Sequence, residues 1–159
     1  MLSNTYSQPS YQVVTDSATG EKIYLGSIRK SDIATPAFPW YAESQRIYPE
    51  VNQEAVEALK THKDKIYLII FAGTWCEDSH FVIPKFFKIQ EAAGFPEDRM
   101  AIFAVDQNKE MPNHLPQAMN VHNAPTIIVM ENGREKGRLI EYGKTGMWDK
   151  ELADIINSQ

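Results

Sequence analysis

The chain has 159 residues, a length typical of one domain, and 43% of its residues are apolar against 23% that are charged. This balance excludes an intrinsically disordered chain. The 16 basic and 21 acidic residues leave a net charge of -5, so nucleic acid is not expected as a partner. The longest apolar stretch, residues 67–73, is far shorter than the roughly 20 residues that span a bilayer, so no membrane partner is expected either. One cysteine excludes an internal disulfide, and a cytoplasmic location without a secretory signal is expected.

The N-terminal third predicts a hairpin followed by an irregular segment. Apolar residues on both sides of a glycine-containing turn predict two strands within residues 11–28. Residues 31–49 contain three prolines, so no single helix fits there. We expect an ordered, aromatic-anchored loop with one short helix. Its Trp40 and Tyr41 are expected to pack in the core rather than to form a partner site.

The rest of the chain alternates between helical and strand patterns. In chain order these predict a helix over residues 51–62, a strand over 66–71, a helix ending at residue 93, strands over 100–105, 126–130 and 138–142, and a helix over 147–156. The strand over residues 66–71 is a continuous apolar run, which is typical of a strand buried on both faces. Thr74 and Glu77 fit a capping box that opens the helix ending before Gly94.

Cys76 falls at the start of that helix, directly after the buried strand. The unpaired N–H groups and the dipole of a helix N-terminus stabilise a thiolate, which is the nucleophilic form of cysteine. The carboxylates of Glu77 and Asp78 oppose this effect, and a protonated His80 one turn later supports it. An unpaired cysteine is most often a small core residue, but its position favours a functional thiol here. A lone histidine on such a helix is more often structural.

Potential metal ligands are also concentrated in this turn, namely Cys76, Glu77, Asp78 and His80. No second cysteine or closely spaced histidine pair accompanies them, so no metal site is predicted. The chain also lacks a glycine-rich phosphate loop, a GxSxG elbow and an HExxH motif. We therefore expect no cofactor, and a nucleophilic cysteine remains as the candidate chemistry.

From the buried strand onward the sequence resembles the thioredoxin family. Trp75-Cys76-Glu77-Asp78-Ser79 is similar to the family's Trp-Cys-x-x-Cys motif, and Pro84 lies where the family's helix contains a proline. Three later landmarks fall in the family's order: the cis-proline loop at Ala124-Pro125, the hairpin turn at Asn132-Gly133 and the substrate-groove glycine at Gly143.

The resemblance covers about residues 50–157 and implies an α/β, thioredoxin-like fold with a central mixed β-sheet flanked by helices. We expect a thioredoxin-like domain over residues 50–159. Residues 1–49 are expected to form an N-terminal extension, a hairpin plus an aromatic and proline-rich loop, packed on the core. The resemblance also implies a shallow groove beside Cys76 for a disulfide-containing partner, lined by Trp75, Ala124, Pro125 and Gly143.

Two departures from the family bear on function. Ser79 stands where the family has its resolving cysteine, and Ile70 stands where it has a buried acidic residue. A mixed disulfide on Cys76 would therefore persist until an external thiol such as glutathione attacked it. The resemblance implies a monothiol thiol–disulfide oxidoreductase of cell redox homeostasis. Cys76 is its nucleophile, Ser79 donates a hydrogen bond to the thiolate, and Glu77, Asp78 and His80 modulate the sulfur.

Two other functions stay open. The chain is alternatively a redox-inactive binding module that uses the groove around Cys76 and Pro125. A third function is redox sensing, in which Cys76 oxidises to a sulfenic acid and is capped by glutathione. The expected partners are a disulfide-containing protein and glutathione as the external thiol, and we expect the protein to be a monomer.

Overall fold

The computed structural model describes residues 10–159, which contain a six-stranded mixed β-sheet. Its strands are β1 (Tyr11–Thr15), β2 (Lys22–Ile28), β3 (Ile66–Ala72), β4 (Met100–Ala104), β5 (Thr126–Glu131) and β6 (Arg134–Ile140). They lie in the order β1-β2-β4-β3-β5-β6. The central strands β3 and β4 pair in parallel, and every other neighbouring pair is antiparallel. The predicted mixed sheet is confirmed.

Residues 10–159 also contain six α-helices. They are α1 (Lys30–Ile33), α2 (Pro39–Arg46), α3 (Gln53–His62), α4 (Glu77–Ala93), α5 (Leu115–Ala118) and α6 (Trp148–Asn157). The segment predicted as a loop with one short helix contains two, α1 and α2. Proline occupies the first turn of α2, where its missing N–H needs no partner. The four residues of α5 carry too little periodicity for a sequence-based prediction.

β3 is buried along one face, and on its other face burial increases from the exposed Tyr67 to the fully buried Phe71, so the predicted burial of both faces holds at the C-terminal end of the strand. Leu68 and Ile70 are fully buried in the larger core, which also contains buried side chains of α3, α4 and α6. Phe71 belongs to a smaller core together with Ile128. Because successive strand residues point to opposite faces, this alternation places the two cores on opposite sides of the sheet.

The aromatic residues of the N-terminal segment join the larger core. Tyr41 is buried, and Trp40 is half-buried against the same cluster. The ring of Tyr41 lies 6.3 Å from the ring of Phe87 on α4. The predicted core packing of both residues is confirmed, and it fixes α2 against the helix that begins beside Cys76.

The hairpin predicted within residues 11–28 is confirmed as β1 and β2. β2 also pairs with β4, so the hairpin extends the central sheet instead of lying on its surface. The expectation that the N-terminus carries no secretory signal concerns mainly residues 1–9, which lie outside the described part of the chain. Within residues 10–159, no helix has the length and apolarity needed to cross a bilayer.

Candidate functional site

The loop between β3 and α4 places Cys76 as the N-cap residue of α4. The predicted capping box is wrong, because Thr74 lies before the cap. Its hydroxyl instead accepts a hydrogen bond from the backbone N–H of Tyr24 (3.2 Å) and donates one to the carbonyl of Lys22 (3.0 Å). β2 therefore offers this hydroxyl two partners that local sequence spacing does not reveal.

The sulfur of Cys76 lies against the loop that precedes β5. Its thiol donates a hydrogen bond to the carbonyl oxygen of Ala124 at 3.4 Å, and the residue is 9% exposed. The Ala124–Pro125 peptide bond is cis. Three of the residues singled out by sequence, Cys76, Ala124 and Pro125, are thus brought together. Among the described residues the sulfur makes no cap hydrogen bond, so the N-terminus of α4 acts on it through the dipole.

Ser79 is 1% exposed and lies in the first turn of α4. Its hydroxyl accepts a hydrogen bond from the backbone N–H of Gly73 at 3.0 Å. The serine therefore anchors the loop that carries Cys76 to the helix that follows it. A hydrogen bond from Ser79 to a Cys76 thiolate stays a prediction, since the thiol form is bonded to Ala124.

Trp75 is fixed by contacts on both sides of its indole. Its ring N–H donates to the carbonyl of Val105, directly after β4, at 2.8 Å. A Cβ atom added to Gly73 would lie 2.6 Å from the indole, so only glycine allows this close approach of the ring to the backbone. The ammonium group of Lys109 lies 5.6 Å from the ring centroid. Trp75 is half-buried, and it directly precedes Cys76 in the chain.

His80 is held between the N-terminal segment and the Cys76 loop. Its Nε2 lies 2.6 Å from the carbonyl oxygen of Thr74, so this nitrogen carries a proton and donates. Its ring stacks on Trp40 with centroids 4.1 Å apart and planes 15° apart. The sequence did not reveal the contact with Trp40, because 40 residues separate the two side chains. His80 consequently ties the first turn of α4 to the loop that precedes it.

The groove glycine implied by the resemblance, Gly143, has a φ of +77° and follows Tyr142 in the loop after β6. The carboxylate of Glu151 accepts hydrogen bonds from the backbone N–H groups of Lys144 and Thr145, which ties this loop to α6. A Cβ atom at position 143 would overlap that carboxylate. Glycine is therefore required here for both backbone conformation and space.

Tyr142 is a site residue that sequence analysis missed. Burial, together with the neighbouring carboxylate of Asp78, raises the pKa of Tyr142 to about 12, and the charge of a Cys76 thiolate acts in the same direction. The ring of Tyr142 packs edge-to-face on Phe81 at 5.3 Å. These contacts join the loop after β6 to the first turns of α4, and no spacing in the sequence indicates them.

Cys76 supplies the one thiol of the chain at this site. Within residues 10–159, histidine, cysteine and acidic side chains form no group of three or more that could hold a metal ion. The chain has one cysteine, so an exchange reaction at Cys76 has no internal thiol to complete it.

A family model described as Thioredoxin matches residues 42–148. A protein of unknown function from Pseudomonas aeruginosa is similar in structure, with a TM-score of 0.51 and 13% identity over 74% of this chain and 80% of that chain. At this identity the likeness shows the fold alone.

Thioredoxin O2 from Arabidopsis thaliana, in its oxidised state, has a TM-score of 0.41 and 17% identity over 65% of this chain and 87% of its own. No curated protein matches the chain. The family model covers well over half of the residues, including the Cys76 loop, Pro125 and Gly143. The chain belongs to the thioredoxin family.

Proposed function

We propose that the protein is a monothiol thiol–disulfide oxidoreductase in which Cys76 attacks a disulfide and an external thiol completes the cycle. One observation carries this proposal. The sulfur lies at the N-terminus of the 17-residue helix α4 and within hydrogen-bond distance of Ala124. The helix dipole favours a thiolate at this place. The adjoining Ala124-Pro125 backbone offers a surface for a partner segment.

The reaction has two balanced steps. The Cys76 thiolate attacks one sulfur of a partner disulfide, forms a Cys76–partner disulfide and releases the other partner sulfur as a thiolate. An external thiolate, with glutathione as the candidate, then attacks the partner sulfur of that mixed disulfide. The Cys76 thiolate is regenerated, and the external thiol and the partner leave joined by a disulfide. The proton of Cys76 passes to solvent before the first step, which breaks the thiol's hydrogen bond to Ala124.

An external thiol is needed because Ser79 takes the place of a second cysteine. The serine occupies the place of a resolving cysteine but is 1% exposed and bonded to Gly73. It cannot supply a second sulfur. The mixed disulfide on Cys76 is consequently a long-lived intermediate whose lifetime depends on the concentration of the external thiol.

A redox-inactive binding module is the second candidate function. The observation that favours it is the burial of Cys76, whose 9% exposure leaves little of the sulfur accessible to a partner disulfide. In that case the groove around Cys76 and Pro125 binds a partner, and the thiol only packs against Ala124. The two functions differ in whether the folded protein reacts with a disulfide.

The test measures mixed-disulfide formation by mass spectrometry. The native protein and the urea-unfolded chain are each incubated at pH 7 with 2-hydroxyethyl disulfide, a neutral probe. The oxidoreductase function predicts that the native protein forms the adduct at least as fast as the unfolded chain. Added reduced glutathione is then expected to release it.

Cys76→Ser is the control for this experiment and must form no adduct. Partner binding that persists in Cys76→Ser, with native Cys76 reacting more than about 100-fold slower than the unfolded chain, would establish the binding module instead.

A further inference from the structure

An aromatic and acidic surface adjoins Cys76 on the side of α4 that faces the loop after β6. We define the aromatic–acidic surface by Phe81, Tyr142, Glu77, Asp78 and Glu141. Phe81 is 40% exposed. It packs edge-to-face on the half-buried Tyr142 at 5.3 Å.

A chain of contacts connects this surface to the sulfur. The Cys76 thiol is bonded to the carbonyl of Ala124. The next residue, Pro125, accepts a hydrogen bond at 2.8 Å from the backbone N–H of Glu141, which precedes Tyr142. A partner segment that brings its disulfide to Cys76 over the Ala124-Pro125 loop therefore also contacts Tyr142 and Phe81.

The carboxylates on this surface are not neutralised by ion pairs. Glu77 and Asp78 follow the sulfur directly in the first turn of α4, and Glu77 is exposed. Glu141 accepts a hydrogen bond from the neutral amide of Asn123 at 3.1 Å. Within the described residues, none of these three carboxylates lies within 4.0 Å of a lysine or arginine nitrogen.

The basic side chains of Lys85, Lys109 and His80 near this surface already have partners. The ammonium group of Lys85 lies 3.6 Å from the ring centroid of Phe81, but Lys85 is 3% exposed and bonded to Ser44 and to the carbonyl of Phe81. Lys109 lies over the indole of Trp75. His80 is stacked under Trp40. Lys144, two residues after Tyr142, is exposed as well, so three carboxylates and one ammonium group adjoin the two aromatic rings and the charge of the surface is negative on balance.

We infer that the physiological partner of Cys76 presents its disulfide on a segment that carries a lysine or arginine and an apolar side chain next to the reacting cysteine. The basic group binds the carboxylates of Glu77, Asp78 and Glu141. The apolar side chain packs on Phe81 and Tyr142, and a guanidinium also stacks on aromatic rings of this kind. This inference rests on the proposed function and specifies its substrate. It also makes oxidised glutathione, which is anionic, a more slowly reacting disulfide than one on a basic protein segment.

The probes are the symmetrical disulfides of two peptides, acetyl-Lys-Cys-Phe-amide and acetyl-Glu-Cys-Phe-amide. Both react by the same exchange, in which Cys76 forms a disulfide with one peptide and releases the other as a thiolate. They differ at one residue, which carries a positive charge in the first peptide and a negative charge in the second. We expect the lysine peptide to react about 10-fold faster at low ionic strength, because opposite charges attract and like charges repel the incoming disulfide. The ratio should fall toward unity at about 1 M salt, where the Debye length is about 3 Å.

Variants assign the preference to the surface. The double variant Glu77→Gln with Asp78→Asn should lower the ratio of the two rates at least threefold. Using the ratio cancels any change in the reactivity of the sulfur itself, since both peptides meet the same thiolate. Asp64→Asn is the matched control, because Asp64 precedes β3 at the end of the strand opposite Cys76, and it should leave the ratio unchanged. Phe81→Ser should slow both peptides.

The outcomes separate this inference from the function on which it rests. Equal rates for the two peptides, or a ratio unaffected by the double variant, would overturn the partner assignment while leaving the oxidoreductase function in place. Reaction of neither peptide with the native protein, where the unfolded chain reacts with both, would overturn the function itself. A rate advantage for the lysine peptide that is lost in the double variant supports the inference.

Discussion

Replacing Ser79 with alanine tests whether its hydroxyl holds the loop or serves the sulfur. Both the Ser79 side chain and Gly73 are buried, and the hydroxyl is the partner of the Gly73 N–H at 3.0 Å. The substitution leaves that N–H unpaired in a dry environment, which costs about 1–3 kcal/mol of stability. For a chain of this length the melting temperature should fall by about 2–4 °C for each kcal/mol.

The assay is urea denaturation at pH 7, with thermal unfolding as a second measure. Ser158→Ala is the matched control, because this serine is exposed at the end of α6 and its loss should change stability by less than about 0.5 kcal/mol. The reasoning is refuted if Ser79→Ala keeps the stability of the parent while the midpoint of the pH profile of Cys76 alkylation moves to higher pH. That result would mean that the hydroxyl donates to the thiolate.

Three further predictions concern side chains around the site. Burial lowers the pKa of Lys85 below its ordinary value near 10.5, so the unfolded chain binds more protons and the free energy of unfolding should rise with pH toward that value. Lys85→Met should reduce this slope in urea titrations at pH 7 and 9.5, and an unchanged slope would contradict the assignment to Lys85. Trp40→Leu removes the ring that stacks on His80, so the alkylation rate of Cys76 at 25 °C should rise at least threefold. An unchanged rate would mean that this stacking does not hold the Cys76 loop in place. Gly143→Ala should lower the free energy of unfolding, measured by urea denaturation, by about 2–4 kcal/mol, because the new side chain meets both a positive φ and the carboxylate of Glu151. Gly146→Ala has a similar φ but open space around it, and it should lower the free energy of unfolding by about 1–2 kcal/mol.

The elements that sequence predicted well are those determined by local chemistry. The apolar run of β3 needs no knowledge of its neighbours, because a strand at the centre of a sheet is apolar along most of its length. The end of α4 at Gly94 and the turn at Asn132-Gly133 both follow from positive φ angles that these residue types adopt readily. The position of Cys76 beside the start of a helix follows from the same local patterns.

The parts that sequence could not predict depend on contacts between distant segments. Thr74 has the spacing of a capping residue, but β2, some 50 residues earlier, provides its hydroxyl with other partners. The stacking of Trp40 on His80 and the packing of Tyr142 on Phe81 join segments whose proximity is fixed by the tertiary fold. Sequence analysis therefore identified Glu77 and Asp78 beside Cys76 but did not predict that Phe81 and Tyr142 form one surface with them.

The central claim is that the fold activates Cys76 as a nucleophile, and the pH dependence of its alkylation by iodoacetamide tests this most directly. The rate is measured from pH 5 to 10 in the native protein and in the urea-unfolded chain. The account predicts a native profile whose midpoint lies clearly below the unfolded value of about 8.5, because the N-terminus of α4 favours the thiolate. A native midpoint at or above that value, or protection of the thiol at every pH, would contradict it.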